Sequence, residues 1–423
     1  MTAVPARAVA FAPPNGLGLA APLAVAMLLI YSAAWVLPLA GDAPAAAQGG
    51  LIRALYMPAY VLGFGVFALA PLRSLKAAAR QPFLIALMGV AVLSVFWSIA
   101  PDQSARRVFA VVCTTAGGLV LAARFGWAAL AEVAAATFAI LAAAALVAAV
   151  AVPSIGVMSD IFPGAWRGLW PEKNALGGNM ALGFVCLSAA AVLNPRRAWL
   201  WWGFAALALF LVLMSTSKTS LVSLLLGAAM LVFVALLRRG PATKVAMVWL
   251  AVVALMIGLG ALLFAADAIF DVLGKDATLT GRTEIWTAAM RQIEKRPWTG
   301  YGYSVVWDVT GPWTPFAWIE REAGFTPQHA HNAWIEQWLG LGLLGLSAFG
   351  LFYIQTLFLT LAAMFRSAGA YLAAPFVIVY TLMSVTESIA FTYNDLRWVL
   401  FVAIAARLAL AEPPTIDFRD AGA

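Results

Sequence analysis

The sequence predicts an all-α polytopic membrane protein. Hydrophobic residues make up 64% of the 423 positions and charged residues only 11%. Apolar runs of about 17–25 residues recur along the whole length, and each can span a bilayer as a helix. A water-soluble domain carries far more charge on its surface. The net charge of +7 points to no nucleic-acid partner, because the positive-inside bias of membrane proteins accounts for part of it. The partner that the composition demands is the lipid bilayer.

Hydropathy places twelve candidate spans, at about 17–40, 51–72, 83–100, 108–123, 128–152, 174–193, 198–214, 219–237, 245–266, 334–363, 370–390 and 396–411. The first run is too long for a signal-peptide core and is read as a retained span. The loops after spans 2, 4, 6, 8 and 10 carry Arg73, Lys76, Arg80, Arg124, Arg196, Arg197, Arg238, Arg239, Lys244 and Arg366, with no Asp or Glu among them. Basic loops stay cytoplasmic, so both termini are expected there. The opposite face has a large loop of roughly 65 residues, 267–332, whose arginines do not count against this, since long loops translocate largely regardless of charge. A shorter outward loop covers about 153–173. With no internal repeat, residues 1–423 read as a single integral-membrane domain. Cys113 and Cys186 fall inside spans, so neither a disulfide nor a cysteine–metal site is expected.

The large loop contains an amphipathic helix, "LTGRTEIWTAAMRQIEKRPWTGYGY". Thr280 is its expected N-cap, Ile285, Ala289 and Ile293 share a face, and Pro297 stops it. Arg282 then sits at the helix N-terminus, where unpaired backbone N–H groups favour an anion and a guanidinium suits phosphate. On spacing alone a solvated arginine on a loop helix is the favoured reading. Lys173, Arg167 and Lys218, in "AWRGLWPEKNALGGNMALGF" and "MSTSKTSLVSLLLG", lie on the same outward face. Together with Arg282 they can form a cationic pocket for a diphosphate, or each can merely snorkel to the interface.

The chain's only two histidines, His329 and His331, stand just before span 10 in "QHAHNAWIEQWLGLGLLG". A metal site would have to recruit Glu320, Glu322 or Glu336. Alternatively His331 and Asn332 cap the following helix, with Trp334 and Trp338 as interface aromatics and Gly340, Gly342 and Gly345 permitting close packing. A catalytic base is the third option, useful only beside an electrophile that the basic cluster would hold. Glu387, near the outer end of span 11, is a functional candidate or one half of a Glu387–Arg397 pair that staples two helices.

His331-Asn332, nine residues, Gly342, two residues and Gly345 resemble the "H[NSQ]-x9-G-x2-G" signature of the bacterial O-antigen ligases. That superfamily also holds the Wzy-type O-antigen polymerases and the ExoQ-like exopolysaccharide polymerases. "GRTEIW" with "RPWTGYGY" is similar to its large-loop arginine motif. "SVFWSIAPDQSARRV", "WPEKNALGGNMALG", "STSKTSL" and "TESIAFTYNDLRWVLF" look like the ExoQ-like branch. The resemblance covers about Phe83 to Val402.

The resemblance implies a GT-C-like bundle in the bacterial inner membrane, with 267–332 a periplasmic loop folded over a periplasm-facing active site. It implies transfer of a glycan from an undecaprenyl-pyrophosphate carrier to a sugar hydroxyl, on another lipid-linked repeat unit or on lipid A-core. No nucleotide sugar, cofactor or metal is implied, and other polysaccharide assembly proteins are expected partners. Arg282 and His331 match the family's functional arginine and histidine. Lys218 departs from the arginine of many ligases, keeping the charge but losing the bidentate fork. Lys218, Lys173 and Arg167 would then bind pyrophosphate, and Glu387 would be the second choice of base, with Asn332 beside His331. The ExoQ-like details favour polymerase over ligase. The rivals from other classes are a lipid-linked oligosaccharide transporter or flippase, which needs functional charges near mid-membrane, and a non-catalytic scaffold.

Overall fold

The structure is a computed structural model and describes residues 19–41, 49–69, 71–160, 162–264 and 281–410. Among these the chain is helical, with a lone β-bridge between Val157 and Trp166. In chain order the helices are α1 Ala20–Tyr31, α2 Val36–Ala40, α3 Gly49–Leu69, α4 Pro71–Ala79, α5 Pro82–Leu93 and α6 Pro101–Arg124. There follow α7 Trp127–Ala151, α8 Pro153–Gly156, α9 Lys173–Leu193, α10 Ala198–Met214, α11 Lys218–Leu237 and α12 Pro241–Phe264. The last five are α13 Arg282–Lys295, α14 Pro315–Ala323, α15 Ala333–Arg366, α16 Ala370–Thr386 and α17 Leu396–Ala409.

Seven helices among the described residues are long and apolar enough to cross a membrane, against the twelve spans expected. The difference has local causes. The first expected span is two helices, because Ala33 adopts φ +55° and the Ser32 hydroxyl turns back to the Leu29 carbonyl at 2.6 Å. The third, 83–100, is only the 12-residue α5 and a 3-10 turn to Trp97, and an elbow precedes it. Gln81 precedes Pro82 and is driven from helical geometry, so α4 and the segment from Pro82 to Trp97 meet at 91°. Counted as one, that pair makes an eighth candidate. α1 and α16 are apolar but shorter, with 12 and 17 residues.

α9 forms the centre of one half of the bundle. It is rich in Gly, Ala and Ser, which let neighbouring backbones approach, and it packs on α7, α10, α11 and α16. α17 is the centre of the other half. Its Trp398 sits among Phe352, Phe391 and Phe401, and the indole N–H donates to Thr115 Oγ1 at 2.9 Å.

The basic loops tie one end of the bundle together. Arg80 donates to the Ala409 carbonyl, Gln355 to that of Arg80, and Arg238 to that of Ser367. α9 and α11 start at the other end, where α16 finishes, about 30 Å away at 1.5 Å per residue.

α15 is broken. Gly342 has φ +65° and ψ −166°, and Trp334 touches the Phe349 ring at a centroid distance of 4.7 Å. In a straight helix those residues would stand about 22 Å apart, so the first turns of α15 fold back on the rest. The large loop fills the break. Leu343 N–H donates to the Pro297 carbonyl at 2.8 Å, Tyr301 N–H to that of Leu339 at 3.1 Å and Gly302 N–H to that of Gly340 at 2.8 Å. A Cβ on Gly342 would lie 2.2 Å from the Trp298 backbone, and one on Gly300 2.6 Å from that of Gly340. On its other side the loop strand meets the turn after α5, where Trp97 Nε1 donates to the Thr299 carbonyl and Ile99 N–H to that of Tyr301. Three motifs far apart in sequence therefore interlock. The spaced glycines serve this junction rather than helix–helix packing alone.

Candidate functional site

α13 begins where its sequence predicts, with Ile285, Ala289 and Ile293 buried, but Gly281 is its N-cap residue. The expected cap, Thr280, lies outside the described residues. The buried face joins Val306, Ile319, Ala330 and Leu339 in a small core of the large loop docked on the start of α15. This docking carries Arg282 to the end of α16. There the Glu387 carboxylate lies between two partners, 3.2 Å from an Arg282 guanidinium nitrogen and 3.0 Å from His331 Nδ1. All three side chains are less than a quarter exposed.

The expected Glu387–Arg397 staple does not form. Arg397 is held by Asp395 two residues earlier, with Nε at 3.0 and 3.1 Å from the two carboxylate oxygens. Asp395 also caps α17 through the backbone N–H of Arg397 and Trp398. A cap so close in sequence outcompetes a carboxylate on the preceding helix, and Glu387 is left for Arg282 and His331.

Capping and imidazole chemistry also separate. Asn332 is the N-cap of α15, its Oδ1 accepting from Trp334 and Ile335 N–H at 3.0 and 3.2 Å. His331 does not cap. It adopts φ +49°, a strained conformation for a residue with a Cβ. Its backbone N–H donates to His329 Nδ1 at 3.2 Å, and the two rings lie 3.9 Å apart. Burial above all, then repulsion from the His331 side, lowers the His329 pKa to about 3, so this ring is neutral. Glu387 shows the opposite balance. Burial pushes its carboxyl up, but the hydrogen bond and charge of His331 and the charge of Arg282 outweigh it and hold the group below its ordinary value.

Glu336, which the sequence offered only as a metal ligand, is the bracket of the site. Its carboxylate accepts from Ala330 N–H at 2.7 Å, Ser388 Oγ at 3.0 Å and Trp307 Nε1 at 2.7 Å. One side chain thus ties the residue before His331 to the residue after Glu387. Only its place one turn into α15, beside the histidines, hinted at this. Among the described residues no three His, Cys, Asp or Glu side chains gather as metal ligands. Trp334 packs against α16, its indole N–H donating to Ser384 Oγ.

Lys173 and Lys218 start α9 and α11. Lys173 Nζ lies 3.4 Å from Thr216 Oγ1, in the turn before Lys218, and 3.7 Å above the Phe162 ring. Gly178 of α9 abuts the Met383 side chain, one turn before Glu387. The lysines and the Arg282–Glu387–His331 group therefore share one end of the bundle. Arg167 donates from its guanidinium to the carbonyls of Ile155 and Ser154.

Chemically, Glu387 can orient the His331 ring and leave Nε2 to meet a hydroxyl, while Arg282 offers further donors to an anion. Residues 203–350 match the family model described as O-Antigen ligase, a stretch that contains Lys218, Arg282 and His331. The chain is also 28% identical over 282 residues to "Exopolysaccharide production protein ExoQ" of Rhizobium meliloti (strain 1021), a match covering 60% of each chain. The match thus spans less than two thirds of that relative's length. Both findings agree with the resemblance of the motifs to the O-antigen ligase and ExoQ-like proteins, and the apolar helices agree with a multi-pass membrane protein.

Proposed function

We propose that the chain is a glycosyltransferase that moves a glycan from an undecaprenyl-pyrophosphate carrier to a sugar hydroxyl, acting as an exopolysaccharide polymerase. The observation that carries this is the Glu387 carboxylate shared by Arg282 and His331. His331 Nε2 takes the proton of the acceptor hydroxyl, and the imidazolium is stabilised by Glu387 across Nδ1. The hydroxyl oxygen bonds to the anomeric carbon as that carbon's bond to the pyrophosphate oxygen breaks. The departing pyrophosphate carries the electron pair, and Arg282, with Lys218 and Lys173, meets its charge. Arg167 contributes through the segment it braces.

In this reading the protein sits in the bacterial inner membrane with both termini cytoplasmic and the site facing the periplasm. Its support is that the basic loops gather at the opposite end of the bundle. The test is polymer formation in membranes from a strain lacking the gene. Arg282→Ala and His331→Ala should each abolish product at normal protein level, and wild-type product from either rejects the assignment. In the deletion strain, single repeat units on the surface indicate a polymerase, and unattached polymer indicates a ligase.

A further inference from the structure

A cavity of about 1160 Å³ includes His329 in its wall but not His331. The ring of the proposed base, His331, is in contact with that of His329, with centroids 3.9 Å apart. The cavity lies between α3, the first turns of α6, the loop at 303–308 and the segment 388–394. Its lining is mixed. Tyr56, Tyr60, Phe109, Trp170 and Tyr303 supply flat apolar faces, and Gln103, Gln328 and three arginines supply donors. An acyl chain needs none of those polar groups. Sugars use both kinds, stacking their C–H faces on rings and pairing hydroxyls with amides.

The arginines differ in what they already do. Arg107 is committed to Asp308 at 2.7 Å and lies over the Tyr393 ring, which locks the large loop to α6. Arg106, its neighbour, is exposed in the cavity wall and has no partner among the described residues. Gln103 lies one turn before it on the same helix face. The acidic groups in the wall are both engaged, Asp308 by Arg107 and Glu336 by its three donors. A neutral saccharide would use the rings and amides and leave this guanidinium unmatched. A saccharide with a carboxylate or phosphate substituent would use it as well.

We propose that this cavity binds the acceptor glycan, that the glycan is anionic, and that Arg106 reads its charge. The proposal rests on the glycosyl-transfer reading above, in which Arg282 takes the donor's pyrophosphate and a hydroxyl entering past His329 reaches His331.

The test uses the purified full chain in detergent, with tryptophan fluorescence as the readout, since Trp170 and Trp307 line the cavity. The probes are tetragalacturonate, neutral cellotetraose and farnesyl pyrophosphate. Tetragalacturonate should bind the wild type more tightly than cellotetraose, with an affinity that falls as salt rises. Arg106→Gln should weaken it about tenfold, the worth of one charge-assisted hydrogen bond. Arg106→Lys should restore part of the loss, and Arg282→Gln should leave saccharide binding unchanged. Saturating farnesyl pyrophosphate should also leave it unchanged. Equal binding of the two tetrasaccharides, no saccharide binding, or indifference to Arg106→Gln overturns the proposal. Competition between tetragalacturonate and farnesyl pyrophosphate overturns the acceptor assignment, because donor and acceptor must bind together. Farnesyl pyrophosphate that ignores Arg282→Gln instead counts against the donor-site reading and leaves the saccharide arm to be judged alone.

Discussion

Glu387 Oε2 lies 3.0 Å from His331 Nδ1, on a residue for which the sequence also offered a pairing with Arg397. A carboxylate behind an imidazole selects which ring nitrogen faces the substrate and stabilises the ring once protonated. Glu387→Gln keeps the shape and removes the charge. Polymer formation in membranes should fall on the order of a hundredfold, with protein level unchanged by immunoblot. Near wild-type turnover would reduce Glu387 to a structural anchor.

Arg282 tests the other side of the same carboxylate. Arg282→Lys retains a charge but loses the planar fork, so turnover should fall less than in Arg282→Ala, and farnesyl pyrophosphate should bind more weakly than to the wild type. Binding equal to the wild type in Arg282→Ala would remove pyrophosphate from the role of this residue.

His329 sets an acid limit. Its pKa of about 3 in the folded chain lies below the ordinary 6.5, so the unfolded chain binds the extra proton. Its contribution to stability is complete above about pH 6.5 and declines as pH falls toward 3, by about 1.4 kcal/mol per pH unit in that window. Glu387, also lowered, adds a loss of the same sign below its ordinary 4.5. Thermal unfolding of purified protein should show Tm dropping from pH 7 to pH 4.5. His329→Gln should flatten the slope, and an unchanged slope would place the titration elsewhere.

Glu336 is a positioning residue. Glu336→Gln offers an NH₂ where one of three donors needs an acceptor. The expected outcome is a fall in kcat of about tenfold or more through displaced His331, with farnesyl pyrophosphate affinity unchanged and partial rescue by Glu336→Asp. Loss of pyrophosphate binding along with kcat would mean that the whole loop had moved.

Gly342→Ala combines a disfavoured backbone with a Cβ 2.2 Å from Trp298. The strain alone costs about 1–3 kcal/mol, and the displaced loop strand adds to it. Limited proteolysis should cut near 297–302 in the variant and spare that segment in the wild type.

Much of this was legible in the sequence. Composition and run length announced the helical membrane class, and the loop helix followed from the spacing of Ile285, Ala289 and Ile293. The two histidines stood out because titratable groups are scarce in so apolar a chain, and it was the resemblance to the O-antigen ligase family that singled out Arg282 and His331. The number of spans was less accessible, since hydropathy averages over a window and does not register the backbone turns at Ala33 and Gln81. The Arg282–Glu387 pair, the triple role of Glu336 and the cavity beside Arg106 are long-range contacts. No local period encodes them.

The interrupted helix also bears on how the molecule is made. The peptide groups opened at Gly342 pair with residues 297–302, and a low-dielectric environment offers no water in their place. Those residues leave the ribosome before Gly342 does, so the complementary strand is already present when the interrupted helix needs it. A chain assembled from two fragments divided between 302 and 333 would have to find this pairing by diffusion. Its yield of folded protein should depend on the order in which the halves are expressed.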